Sequence, residues 1–159
     1  MNPSTSSEPP FERTVCACEN CRACCKRQPG SLVPGDLERI ALYTSKTQGL
    51  PYEVAFEQVK KQLWASPGAL VLNTATGRVE RVGTITPRYR KGRCVFLDEN
   101  ERCTIHAVAP AGCAYFDTHM PRGQAQMRSA WLVTQQQHPD YQKLRDSLPY
   151  ATHYKPSRC

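Results

Sequence analysis

The stretch Cys18-Glu19-Asn20-Cys21-Arg22-Ala23-Cys24-Cys25 constrains this chain more than any other feature. It is Cys-x2-Cys-x2-Cys-Cys, with Cys16 just upstream, and Cys94, Cys103 and Cys113 form a second compact run after a long gap. A chain of 159 residues buries roughly 70% of its unfolded surface, so its nine cysteines are not demanded by small size. Residues 1–10 are polar, with Pro3, Pro9 and Pro10, and do not read as a secretory signal. No apolar run approaches the roughly 20 residues of a membrane span. The expectation is a cytoplasmic protein with no membrane partner, in a reducing compartment where clustered cysteines ligate metal instead of pairing as disulfides.

Cys-x2-Cys offers two thiolates to one ion, because a tight turn brings both sulfurs to about 2.3 Å from the metal. The first run contains it twice in overlap, as Cys18/Cys21 and Cys21/Cys24. Adjacent Cys24 and Cys25 point in different directions and do not readily serve one tetrahedral ion. Structural zinc takes four ligands and an iron–sulfur cluster about four thiolates. Cys18, Cys21, Cys24, Cys25, Cys94, Cys103 and Cys113 therefore fit no single closed site. Sulfur-rich ligation favours zinc or iron, an iron–sulfur cluster included, over magnesium or calcium. Between zinc and iron the sequence leaves the choice open.

The second run adds non-sulfur candidates. His106 follows Cys103 at Cys-x2-His spacing, and Asp117 and His119 alternate on one side of an extended segment after Cys113. A carboxylate and an imidazole beside thiolates suit a metal with an open, reactive position. The plainer readings are a histidine at a strand end for His106 and loop surface for the other two. Cys16 is a spare ligand, Cys159 a free tail thiol, and His138 and His153 ordinary surface residues. A metal bridging the two runs closes a loop of about 75 residues, worth on the order of 4 kcal/mol as a cross-link.

The rest of the chain supplies the frame. Residues 1–12 read as a flexible tail and residues 13–155 as one domain. Asp36 is a candidate N-cap for a helix carrying Leu37, Ile40 and Ala41 and ended by Gly49. Tyr52, Phe56, Val59 and Leu63 mark a second helix reaching about Trp64, and Ser66-Pro67-Gly68 breaks that pattern. Short strands are expected over 69–72 and 78–85. Residues 94–105 read as a β-hairpin in which Leu97 faces Arg102 and Phe96 faces Cys103. That register puts Cys94 and Cys103 on one face, close enough to share a metal. A third helix after Pro121 presents Met127, Ala130, Trp131 and Thr134 on one face, and a short fourth holds Tyr141, Leu144 and Leu148. The fold class is α+β: a small helix-rich domain with a short hairpin, pinned by a cysteine-ligated metal centre.

The formal charge of +7 and the basic stretch Arg88, Arg90, Lys91 and Arg93 point weakly to nucleic acid or an acidic partner. Metal-bound thiolates lower that charge to about +4. The plainer reading of the stretch is a solvated loop.

Cys18-x2-Cys21-x2-Cys24-Cys25, then Gly92-Arg93-Cys94-Val95-Phe96-Leu97, then Arg102-Cys103-Thr104-Ile105-His106, then Pro110-x2-Cys113 resemble the YkgJ-type cysteine-cluster (CxxCxxCC) family, described as a putative zinc- or iron-chelating domain. The resemblance covers roughly residues 16–120. It implies a bacterial-type cytosolic metalloprotein, with the seven cysteines of the two runs as ligands. The family's arginines around its last cysteine are replaced here by Ala109 and Ala114. Three functions follow in order: a protein that binds zinc or iron; an iron-dependent enzyme with an open thiolate-rich site near Asp117 and His119; and a zinc-stabilised module associated with nucleic acid.

Overall fold

The computed structural model describes residues 9–26, 29–73 and 76–151. The first eight residues of the expected tail, the Cys24 side chain, His153 and Cys159 lie outside the described residues.

The first cysteine run forms two short helical turns. These are α1 (Glu19–Arg22) and a 3-10 turn (Ala23–Lys26). Glu19 and Asn20 are exposed, while the described cysteines of the run are partly covered. Next comes α2 (Asp36–Gln48), which buries Leu37, Ile40, Ala41 and Thr44. Gly49 ends it as expected, in the left-handed conformation at φ 66°, with its N–H on the Ser45 carbonyl.

Asp36 is not the N-cap. Gly35 occupies that position at φ 88°, and Asp36 is the first helical residue. Its fully buried carboxylate accepts the N–H groups of Val33 at 3.1 Å and Ala111 at 2.8 Å. Arg39 pairs with the same carboxylate at 2.7 Å. Burial raises the Asp36 carboxyl, and Arg39 and the two N–H groups pull against that rise.

Helix α3 (Tyr52–Lys60) stops short of Trp64. The Gln62 N–H bonds the Val59 carbonyl, and the chain turns into β1 (Leu63–Asn73). The expected apolar stripe is thus divided between a helix and a strand. Ala55 and Val59 are buried from α3, and Leu63 enters the core from β1.

Strand β1 pairs antiparallel with β2 (Arg78–Pro87), a longer hairpin than expected. Ser66-Pro67-Gly68 does not end the strand but is absorbed as a bulge, with the register shifting between Ser66 and Ala69. Gly68 sits at φ 73°, where an added Cβ would lie 1.7 Å from the Val82 carbonyl oxygen, so only glycine fits. Val79, Val82 and Ile85 fail to alternate because the hairpin is buried by its length and not by its faces. Val79 is exposed at the outer end, whereas Thr84, Ile85 and Thr86 are all buried at the inner end.

Two-residue strands β3 (Tyr89–Arg90) and β4 (Arg93–Cys94) form a second antiparallel pair. The expected hairpin over 94–105 is reduced to one bridge, and its register is shifted: Leu97, not Phe96, faces Cys103. The Asp98 carboxylate causes the shift by accepting the N–H groups of Asn100 and Arg102, which tightens the loop. A 3-10 turn (His106–Val108) and α4 (Ala111–Ala114) follow.

Helices α5 (Arg122–Gln136) and α6 (Pro139–Asp146) close the chain. The inward face of α5 is displaced from the expected one. Trp131 and Leu132 pack inward and Gln136 is buried, while Met127, Ala130 and Thr134 are exposed. Polar groups set this choice: the Gln136 amide donates to the Leu32 carbonyl at 3.0 Å and the Ser31 hydroxyl at 2.7 Å. His138 is exposed, as expected, and caps α6 through the Asp140 N–H.

The main core joins Leu32, Leu37, Ile40, Val59, Leu63, Ile85, Phe96, Ile105 and Tyr141. The Tyr141 hydroxyl donates to the Leu32 carbonyl and accepts the Ile85 N–H, both at 2.8 Å. A second cluster stacks Phe11, Tyr115 and Trp131 edge to face, with centroids 5.3–5.8 Å apart. Phe11, expected in the flexible tail, is thereby anchored beside α4. The class is α+β, as expected. No helix among the described residues is long and apolar enough to cross a membrane.

Replacing Asp36 by alanine strands Arg39 and two buried N–H groups, and is expected to cost about 3 kcal/mol or more. Asp36→Asn keeps an acceptor for the two N–H groups and should lose less. Urea denaturation midpoints of the two variants check the order.

Candidate metal centre

Residues 14–22 meet residues 117–119 at the surface. The sulfurs of Cys16, Cys18 and Cys21 and a ring nitrogen of His119 lie within 4.8 Å of one another. Cys21 Sγ is 3.4 Å from Cys16 Sγ, and Cys18 Sγ is 3.5 Å from His119 Nε2. Tetrahedral ligands at about 2.3 Å from an ion lie about 3.8 Å apart, so this donor set fits one thiophilic ion. The three cysteines are partly exposed and His119 is exposed. Helix α1 produces the grouping. Cys18 precedes its first residue in an extended conformation (ψ 165°), and Cys21 follows within the same turn.

Cys18 and Cys16 shift in opposite directions. The Cys21 N–H, then the His119 ring and the Cys21 thiol, hold Cys18 down to about 6. The Cys18 N–H pulls Cys16 the same way, but the neighbouring Cys21 and Cys18 sulfurs outweigh it and raise that thiol.

Asp117 does not join the four ligand atoms. Its carboxylate accepts the Thr14 hydroxyl at 2.9 Å and the His119 N–H at 2.8 Å. Those two bonds, led by Thr14, hold the carboxyl below its ordinary range. Asp117 therefore ties the segment carrying His119 to the segment that leads into Cys16. Thr118 adds a contact of its own, with its N–H 3.5 Å and its hydroxyl 3.4 Å from Cys21 Sγ.

Cys25, Cys94, Cys103 and Cys113 do not join those four donor atoms. Cys94 belongs to the main core, and Cys25 and Cys103 pack against it. Burial pushes Cys94 up to about 12 and Cys103 up to about 11, and both also feel the charge of Cys25. Burial raises Cys113 well above the ordinary thiol range, and Cys25, Cys94 and Cys103 add to that rise. Backbone N–H groups oppose it: Phe96 at Cys94, Ile105 at Cys103, and Gly30 at Cys113, the last at 3.1 Å.

Two glycines let Cys113 reach this position. A Cβ on Gly30 would lie 2.2 Å from the Gly112 carbonyl carbon, and one on Gly112 would lie 2.4 Å from the Ser31 nitrogen. Backbone therefore packs directly on backbone, and the Gly112 N–H bonds the Ser31 carbonyl at 2.8 Å.

The expected ligands thus divide. Cys18, Cys21 and His119 are among the four converging donor atoms, whereas Cys25, Cys94 and Cys103 lie at the main core and Cys113 accepts the Gly30 N–H. Cys94 and Cys103 reach the core through a register different from the expected one. His106 is exposed on its 3-10 turn and is not among the four. Cys16, expected as a spare, is a full member of the four. Its signal was the Cys16-x-Cys18 alternation, which in extended chain puts both side chains on one side. Thr14 and Thr118 carried no signal, because their partners are about a hundred positions away.

The basic stretch is partly occupied in holding the fold. Arg88 bonds the Leu63 carbonyl at 3.1 Å, and Arg93 bonds the Asp98 carbonyl. Lys91 and Gly92, at φ 51° and 74°, make the tight turn between β3 and β4.

A family model described as CxxCxxCC, "Putative zinc- or iron-chelating domain", matches residues 17–138. No curated protein and no solved structure matches the chain.

In metal-free, reduced protein, Cys18 is expected to alkylate first. Its rate should rise with pH to a plateau with a midpoint near pH 6, because the thiolate is the nucleophile. Cys94, Cys103 and Cys113 should stay protonated and covered at that pH. Mass-spectrometric mapping of the alkylation sites over a pH series checks both statements.

Proposed function

The chain belongs to the CxxCxxCC family, and on that premise we propose that it binds zinc or iron at Cys16, Cys18, Cys21 and His119. One observation carries the reading: donor atoms about a hundred positions apart in sequence converge to within 4.8 Å. Three thiolates and one imidazole are a zinc set, and iron accepts the same donors. A set of one ion's worth of ligands, imidazole included, favours a single ion here over an iron–sulfur cluster.

The residues have distinct parts. The three cysteines supply charge as thiolates, and those still protonated give their protons to solvent when they ligate. His119 supplies the neutral fourth donor. Thr14 and Asp117 hold His119 in place. When bound, the metal supplies a Lewis-acidic, thiolate-rich centre open to solvent on its His119 side. That exposure suits exchange of the ion with an external thiol or carboxylate ligand, the chemistry of metal handling in a reducing compartment such as the cytoplasm.

The enzyme reading draws on the same exposure, with His119 as the ligand beside solvent. Asp117 is committed to Thr14 and the His119 backbone, so its part is to position. The nucleic-acid reading retains Arg90 and Lys91, whose side chains make no hydrogen bond or ion pair among the described residues.

Elemental analysis and an optical spectrum of anaerobically purified protein test the proposal. Stoichiometric zinc or iron that is lost in Cys18→Ser is expected. Asp117→Ala should keep the metal but weaken its affinity on the order of 10-fold in a competition titration, as loss of a supporting hydrogen bond does. Metal-free protein with its thiols paired as disulfides would overturn the reading.

A further inference from the structure

The turn between β3 and β4 breaks two local rules at once. Lys91 and Gly92 are its central residues, at φ 51° and 74°. A two-residue turn of that hand is made best by Asn-Gly, because side chains other than Asn and Asp seldom take a positive φ. Here a lysine holds the position. On either side of it Arg90 pairs directly with Arg93, and both are exposed. Like charges facing each other across a strand pair weaken it. Among the described residues, no carboxylate offsets these costs. The side chains of Arg90 and Lys91 make no hydrogen bond or ion pair there, and Arg93 bonds a carbonyl, that of Asp98.

Two more cations come to the same place. The turn over residues 98–101, which Arg93 touches, also takes Arg22 and Lys26 from the first cysteine run. Arg22 Nη1 donates to the Glu101 carbonyl at 3.2 Å, and Lys26 Nζ lies 2.8 Å from the Glu101 carboxylate. The β3–β4 turn lies against Lys26 so closely that a Cβ on Gly92 would stand 3.1 Å from the Lys26 carbonyl oxygen. Three carboxylates accompany these cations. Asp98 accepts the N–H groups of Asn100 and Arg102, Glu101 pairs with Lys26, and Glu99 is exposed. Glu101 is itself at φ 60°, and it and Lys91 are the only non-glycine residues at positive φ among the described residues. Strained residues of this kind gather where a surface has a role beyond folding.

We propose that Arg22, Lys26, Arg90, Lys91 and Arg93 form one surface that docks the phosphate backbone of a nucleic acid. The inference rests on the nucleic-acid reading and not on the identity of the metal. Three of the five cations are arginines, and a guanidinium matches phosphate oxygens in shape as well as in charge. A line of phosphates supplies the repeated negative charge that Arg90 facing Arg93 lacks in the free chain. Contacts of this kind go to the backbone and carry no base sequence. Glu101 holds Lys26 until a phosphate takes its place.

The test uses the full chain purified without oxygen, with metal content measured in every sample. Fluorescence anisotropy follows binding to a labelled single-stranded oligonucleotide of about 20 nucleotides. Affinity is expected to fall roughly 50-fold between about 50 and 200 mM salt, as about four phosphate contacts require. Lys91→Asn and Arg90→Thr should each weaken binding on the order of 5-fold at low salt and lower the salt slope by about 0.7. Their melting temperatures should equal or exceed that of the wild type, because Asn suits the turn and Thr suits the strand. That result separates loss of binding from loss of fold. Glu101→Asn, a change that the positive φ accepts, should free Lys26 and tighten binding. Lys46→Gln removes an equal charge from the exposed face of α2 and should leave the affinity nearly unchanged. Equal losses in Lys91→Asn and Lys46→Gln would overturn the surface, since net charge alone would then be binding, and would leave the nucleic-acid reading standing. An oligoglutamate of the same length that binds as tightly, and responds to the same variants, would overturn nucleic acid as the occupant in favour of an acidic protein. No binding at low salt would overturn both the surface and the nucleic-acid reading, whatever metal the samples hold.

Discussion

The buried carboxylate of Asp36 is the contact on which the rest of the arrangement depends. It accepts N–H groups from Val33, just after the first cysteine run, and from Ala111, just before the last cysteine of the second. Arg39 neutralises it from one turn further along α2. A charge in that position is tolerated only because every partner is in place, so it holds the two segments at one separation. The Gly30–Gly112 backbone contact then brings Cys113 inward. Neither interaction involves a cysteine side chain, yet together they decide where Cys113 lies against Gly30, 83 positions away.

Two chemical environments result for one kind of side chain. At the surface, the Cys18 thiol is held low enough to be ionised at neutral pH, next to an exposed imidazole. In the core, desolvation raises the thiols of Cys94, Cys103 and Cys113. The physical difference is access to water: the same side chain is a ready ligand where solvent and N–H donors stabilise its charge, and a hydrophobe where they do not.

The helices and the long hairpin serve as supports. Tyr141 joins the segment at Leu32 to β2 through one hydroxyl, and Gln136 joins α5 to the same segment. Residues 31–33, six to eight positions beyond Cys25, are thus gripped from β2, α2, α5 and α6. Phe11, Tyr115 and Trp131 do the same for the chain that leads into Cys16. Rigidity near the sulfurs comes from these polar and aromatic contacts, since the cysteine turns themselves are too short to persist alone.

The sequence by itself determined the kind of chemistry and the class of the chain. Thiol spacing is local, and Cys-x2-Cys means two adjacent donors whatever surrounds it. Gly49 and the Leu37, Ile40 and Ala41 stripe likewise defined α2, because capping and helical periodicity act within a few residues. The tertiary structure decided which donor atoms meet. The Cys18–His119 meeting spans 101 positions, and no local pattern encodes it. The shifted register at Leu97 and Cys103 came from the Asp98 side chain, and the displaced face of α5 from Gln136 and Arg128 reaching distant carbonyls. In each case a polar group that had to be satisfied on burial outweighed the hydrophobic pattern. Its partner lay elsewhere in the chain, which is why only the folded protein could reveal it.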